Sequence, residues 1–469
     1  MIRFRIYSVI LFVLALALSG CGKDDVSVIG DGTATAATDD PDDPDRVDWA
    51  AAVGYVFDPS VIPEVHIAVS QQEWDRLVAL FDADNGTQEY VRCDVRFVKS
   101  GKASVVEGAG LRLKGNTSRR RPEHHDGRKR HVHFGLDFHH FSPDPEHTLK
   151  GLRKADLKWF KDDAAYVREI FCYDLFRRFG VWTAIRDVYA RLWVRVGDGS
   201  ETYYGVYGLM EHIDKNYVRT RKKEFGAKGG NLWKCRYGAT LGRVDADMGV
   251  DDNHSSHTYE LKTNKEEGFP AAKAQLQDFI RNLSSRSGSD FDYWIASVMD
   301  VDLLLKTYAV NVAVGMWDDY WANSNNYYLY FNSTDPASYK VFLIPYDYDN
   351  TLGTSSMMDA GRQDPYHWGR SDCLLMEKVL QNAGWRARYR NYLRELCQGN
   401  GLMSPSVAEA RIRDWQASIS GFVRNDTGED MEIADSPASW GNHAEYRLLS
   451  GGSSANWFEV KAATVSALK

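Results

Sequence analysis

The chain has 469 residues, a formal net charge of −8, and 43% hydrophobic, 13% aromatic and 26% charged residues. These values suit a folded globular protein and exclude a largely disordered one. The acidic balance argues against a general nucleic-acid binder, and six cysteines are too few for a disulfide scaffold of this length.

Residues 1–20 read as a leader. Arg3 and Arg5 give a positive start, and Val9 to Leu18 is an apolar run too short for a comfortable membrane span. The run ends in Leu18-Ser19-Gly20-Cys21, which resembles the lipobox of bacterial lipoproteins, where the signal is cut before an acylated cysteine. The expectation is a lipid anchor on Cys21, holding an exported protein to a membrane of the bacterial cell envelope. Residues 21–46 follow as a disordered acidic tether. They are rich in Asp, Thr, Ala and Gly and too poor in large apolar groups to offset the entropy of ordering. Of the other cysteines, Cys93, Cys172, Cys235, Cys373 and Cys397, most read as buried thiols, and none is assigned a catalytic or zinc role.

Folded sequence begins near Val47. Alternation predicts strands over Val65–Val69, Val91–Val98, Gly108–Lys114 and Val132–Phe138, with a helix over Gln71–Phe81. Gly115-Asn116-Thr117-Ser118 is a polar turn, and Arg119 to Arg130 a basic loop with His124, His125 and His131 close by. Asp163–Phe179 reads as a helix, with Gly180 where a C-cap would stand. Val188–Val196 and Thr202–Leu209 form a hairpin about Gly197-Asp198-Gly199, and Asp214 starts another helix. From Ala271 the pattern turns helical: Ala271–Leu283, Phe291–Met299, Val301–Gly315, Ser371–Cys397 and Ser404–Phe422. Tyr327–Phe331 and Val341–Pro345 interrupt it as a strand pair. The class is α+β, a strand-rich half (47–265) followed by a helix-rich half (266–469).

Chemistry concentrates between Trp317 and Gly353. Asp318 and Asp319 precede Asn323, Asn325 and Asn326, which lead into one strand, while Asp347 and Asp349 follow the next. In an extended segment Asp347 and Asp349 share a side. Oxygen ligands of this kind suit a hard cation, magnesium or manganese, with calcium also possible. Phosphoryl transfer needs such a set: an aspartate to accept the acceptor's proton, and an asparagine and an aspartate to hold metal. Asp318 and Asn323 have the D-x4-N spacing of protein kinases, whereas Asn326 stands directly before a strand, so both asparagines remain candidates. Asp347-Tyr348-Asp349 also suits metal-dependent glycosyl or nucleotidyl transfer. Trp317 and Trp321 flank Asp318 as expected walls of a cleft.

Several segments, in order, resemble the CotH family of spore-coat-type atypical protein kinases: Leu111 through Arg119, Asp163 through Glu169, Tyr204 through Asp214, Asn231 through Lys234, Tyr259 through Lys262, Asp318 through Tyr330, and Pro345 through Asp349. Where the family has Trp before its DxD, this chain has Tyr346. The resemblance implies a bilobal kinase-like fold, with an N-lobe over 47–265 and a C-lobe over 266–469, that uses ATP and a divalent metal to phosphorylate Ser or Thr of a protein. It carries Asp318 as catalytic base, Asp347 or Asp349 as metal aspartate, and Asn326 or Asn323 as metal asparagine. Gly115, Asn116 and Ser118 would cover the phosphates. Glu169 would ion-pair with a nucleotide-positioning lysine, Lys129 first, with Lys114, Lys234 and Lys262 as alternatives. Glu211 falls where a kinase hinge would lie, in a structural role beside the nucleotide. Two alternatives of other classes stand beside this reading: a non-catalytic surface adhesion or structural protein on a kinase-like scaffold, and a DxD-type glycosyltransferase.

Overall fold

The computed structural model describes residues 49–227, 229–250, 256–355, 357–436 and 446–469. The expected leader, Cys21 and the tether lie outside them. α1 (Trp49–Val56) leads into β1 (Glu64–Val69), which buries Val65, Ile67 and Val69 as its alternation predicts. Ser70 caps α2 (Gln71–Ala83) by accepting the Glu73 N–H at 3.2 Å. Strands β2 (Val91–Lys99), β3 (Lys102–Lys114), β4 (His133–Asp137) and β5 (Lys154–Lys158) then pair antiparallel in succession.

The next helix starts later than its pattern predicts. Asp163 stays outside it and accepts the N–H groups of Val167 and Arg168 at 2.9 and 2.8 Å. Tyr166 turns at φ +59°, so α3 spans only Arg168–Arg178. The hairpin β6 (Asp187–Val196) and β7 (Thr202–Glu211) completes a closed barrel in the order β1-β2-β3-β4-β5-β7-β6. The closing pair, β1 with β6, is parallel. Its apolar core includes Ile67, Val95, Leu111, Phe134, Leu157 and Leu192.

Asp214 caps α4 (Lys215–Arg219), and α5 (Lys222–Phe225) follows. β8 (Asn231–Cys235), β9 (Met248–Val250) and β10 (Tyr259–Leu261) precede helices α6 (Phe269–Ser285), α7 (Gly288–Val298), α8 (Val301–Val314) and α9 (Tyr320–Asn323). β11 (Tyr327–Phe331) and β12 (Val341–Pro345) fall on the predicted residues. They join the earlier strands in one sheet, ordered β12-β11-β8-β10-β9. Residue 265, the expected boundary between the halves, therefore separates strands that share a sheet.

The stretch expected as one helix over Ser371–Cys397 breaks in two, α10 (Leu374–Val379) and α11 (Ala383–Cys397). Asn382 caps the second by accepting from Gly384 and Trp385. α12 (Pro405–Ile419), the short β13 (Tyr446–Arg447) and β14 (Ala455–Asn456), and α13 (Trp457–Ser466) end the chain. The class is α+β, as expected. Cys93, Cys172, Cys235, Cys373 and Cys397 are all free and buried. Among the described residues no helix is long and apolar enough to cross a membrane.

Candidate active site

Gly315 ends α8 at φ +72°, where an added Cβ would stand 2.3 Å from the Trp457 ring. The chain turns there into Trp317-Asp318-Asp319. Asp319 is buried and caps α9, accepting the Ala322 N–H at 2.9 Å and the Asn311 carboxamide at 2.9 Å. Tyr348 donates to the Asn311 side-chain oxygen, Oδ1, at 2.7 Å, which ties this turn to the segment after β12. Trp317 and Trp321 are core residues rather than exposed walls, and the Trp321 N–H reaches Glu377 at 2.9 Å.

Asp318 is held by three carboxamides. Asn323 and Asn325 donate to one oxygen at 2.6 and 3.0 Å, and Asn326 to the other at 3.0 Å. Burial raises its pKa, the three hydrogen bonds oppose that, and the charge of Asp347 adds to it. Both predicted asparagines thus gather at Asp318, together with Asn325, for which the sequence pattern suggests no separate role.

Asp347 follows β12 at φ +63°, and its N–H donates to the Tyr173 hydroxyl of α3 at 2.9 Å. Lys158, at the end of β5, reaches three acids: Glu169 of α3 at 2.7 Å, Asp347 at 2.5 Å and Asp349 at 3.6 Å. Ligand oxygens of Glu169, Asp347 and Asp349 all lie within 4.8 Å of one another. Burial pushes Glu169 up to about 8 and Asp349 to about 7. Asp347 is also desolvated, but the Lys158 ammonium outweighs that and holds it below the usual carboxylate range. Asp349 keeps one buried oxygen, Oδ1, without a hydrogen-bond donor. An all-carboxylate set with an orphaned oxygen fits a hard divalent cation.

The lysine beside Glu169 is thus Lys158, and the expected partner, Lys129, lies elsewhere. Lys129 bonds to Glu123 at 2.8 Å and sits 4.3 Å above the Trp74 ring, folding the basic loop back onto α2. Other cations of that loop are also engaged within the protein: Arg119 on the carbonyls of Asn85 and Thr87, Arg120 on Glu429, Arg121 on Asp82. Glu211 is buried between Arg186 at 2.8 Å and Arg221 at 2.7 Å, a structural ion pair at the end of β7. The turn Gly115-Asn116-Thr117-Ser118 begins directly after Lys114, which pairs with Asp156 of β5, and His212 joins Asp156 at 3.0 Å. Gly115 stands at φ +102°, and a Cβ there would lie 2.5 Å from Ser118 Oγ, so the tight turn requires glycine.

Residues 111–448 match the CotH family, described as CotH kinase protein. No curated protein matches the chain. The match spans most of the sequence, and the chain belongs to the CotH family.

Proposed function

We propose that this member of the CotH family is an ATP- and divalent-metal-dependent protein kinase that phosphorylates Ser or Thr of an envelope or extracellular protein. The observation that carries the reading is Lys158, which bonds Glu169 of α3 and Asp347 after β12 at once. A lysine on a strand, a glutamate on the following helix and an aspartate after a later strand form the set that positions a nucleotide's phosphates in kinase-like enzymes. The barrel and the helical half with its five-stranded sheet would then serve as the two lobes, with the nucleotide between them.

In this mechanism Lys158 orients the phosphates, and Glu169 holds the ammonium in place. Asp347 and Asp349, with Asn326 or Asn323, would bind the cation, which when present neutralises charge on the transferring phosphoryl group. Asp318 accepts the proton of the attacking hydroxyl. Its hydrogen bonds to Asn323, Asn325 and Asn326 aim the carboxylate. Gly115, Asn116 and Ser118 would close over the phosphates. The lipid anchor on Cys21 would place this chemistry at the bacterial cell envelope.

The test is transfer of labelled γ-phosphate to the protein itself or to an acidic acceptor, with magnesium or manganese. Transfer that disappears in Asp318→Ala, with folding intact, supports the reading. Nucleotide binding without transfer points to the scaffold alternative, and release of UDP from a nucleotide sugar to the glycosyltransferase.

A further inference from the structure

The five-stranded sheet directs toward this site one cation that no carboxylate answers. Lys234 lies on β8, opposite Glu260 of β10 on one side and Tyr328 of β11 on the other. Glu260, the nearest acid along the sheet, is committed to Arg236 at 2.5 Å. The Lys234 ammonium stands 5.6 Å from the centre of the Tyr346 ring, which itself packs edge-on against Tyr328. Among the described residues it has no hydrogen-bond acceptor or carboxylate partner. The neighbouring lysines differ: Lys114 is paired with Asp156, and Lys158 with Glu169 and Asp347.

Lys234 is also close to the catalytic groups. Burial lowers its proton affinity, Glu260 and Asp347 raise it, and the charges of Arg236 and Lys114 lower it further. It is therefore in electrostatic contact with both the aspartate after β12 and the lysine before the Gly115 turn. Lys234 is only partly buried, so its ammonium, which no acceptor bonds, stays open to an anion arriving from solvent.

We propose that Lys234 is an anion-binding residue of this site that contacts the phosphate oxygens of a nucleoside triphosphate from the five-stranded sheet, while Lys158 reaches them from the barrel. The proposal rests on the nucleotide reading above. It goes further by assigning β8, a strand of the five-stranded sheet, to the recognition of the phosphates. No bond is made or broken by Lys234. It supplies a positive charge, and it would be a positioning residue for transfer.

The test uses Lys234→Met and Lys234→Arg in the full chain, with thermal unfolding and calorimetric titration against ATP, inorganic tripolyphosphate and adenosine, each with magnesium. Without ligand, Lys234→Met should unfold at the wild-type temperature or above it, because a charge that lacks a partner has been removed. Its affinity for ATP and for tripolyphosphate should fall at least tenfold, its affinity for adenosine should stay unchanged, and Lys234→Arg should restore most of the loss. Binding of both phosphates by Lys234→Met within twofold of wild type overturns the proposal. So does a ligand-free loss of stability that arginine repairs, which would make Lys234 structural. A wild-type protein that binds neither ATP nor tripolyphosphate overturns the nucleotide reading and this proposal together. Tripolyphosphate binding that depends on Lys234 without any transfer supports the anion site and rejects the kinase activity alone.

Discussion

At Lys158 one ammonium serves three carboxylates. Replacing it with methionine leaves the buried Glu169 without its cation, beside Asp347 and Asp349, whose side chains are 35% and 41% exposed. Removing one partner of a buried ion pair costs about 3–5 kcal/mol. Lys158→Met should therefore lower the melting temperature by several degrees, and magnesium should recover part of the loss by replacing the missing charge. Thermal unfolding with and without the ion checks both. A variant as stable as wild type in the absence of metal would show that Lys158 is not what holds the acids together.

A second residue gives the pH dependence. Asp187 is fully buried on β6, bonded to Arg177 at 2.7 Å, and its Oδ2 has no donor. Burial pushes its pKa up to about 7, with Arg177 opposing. A carboxyl whose folded pKa lies above its unfolded value favours the folded state at low pH. That contribution is complete below about pH 4 and fades as pH rises through 7, the slope between them being about 1.4 kcal/mol per pH unit. Asp187→Asn should flatten this part of the stability–pH curve, measured by denaturant unfolding between pH 4 and 8. An unchanged slope would mean that Asp187 titrates normally.

At the scale of elements, the loop that carries Asp318 depends on how α8 stops. Gly315→Ala puts a methyl group into the Trp457 ring at a positive φ, and the strain and displacement should cost about 1–3 kcal/mol. The melting temperature should fall, and activity should fall further than stability, because the same turn aims Asp318. Strands are legible where apolar residues alternate or run together: β11 and β12, which border the site, appear on their predicted residues, and β1 of the barrel begins one residue earlier than predicted. β5 is not. Its five residues, Lys154 to Lys158, hold two lysines and an aspartate, and the alternation rests on Ala155 and Leu157 alone, too short a run to announce a strand, although Ala155, Asp156 and Leu157 are all buried. Its charges face Asp137, Lys114, Glu169 and Asp347, on neighbouring strands, a helix and a distant loop. Sequence distance cannot show such pairings, which is why the pattern points to Lys129 rather than Lys158. The Asp318, Asp347 and Asp349 positions are legible because carboxylates and carboxamides collect at the ends of two readable strands. The α3 boundary is not, because Asp163 caps from outside the helix through Tyr166, in a left-handed conformation that no apolar pattern encodes.

Across the whole molecule, a late segment braces an early one. Glu429 accepts from the His131 N–H at 2.8 Å and pairs with Arg120, while Asp430 accepts from the Trp159 indole at 3.1 Å and pairs with His131 at 3.0 Å. The basic loop is thereby fixed by residues some 300 positions away. Glu429→Ala should raise the opening of residues 119–130 about tenfold, equivalent to about 1.4 kcal/mol, read by amide exchange or limited proteolysis. Unchanged protection there would show that Asp430 and the loop's own bonds suffice.

The family match begins at Leu111, partway along β3, yet the barrel closes through β1 and β2, which lie before it. A chain trimmed to residues 111–448 would lose both strands that bridge β3 to β6. Two rows of unpaired backbone N–H and C=O groups would face water, a template for intermolecular strand addition. Recombinant protein cut at that border should collect in inclusion bodies, whereas one started near Val47 should stay in the soluble fraction.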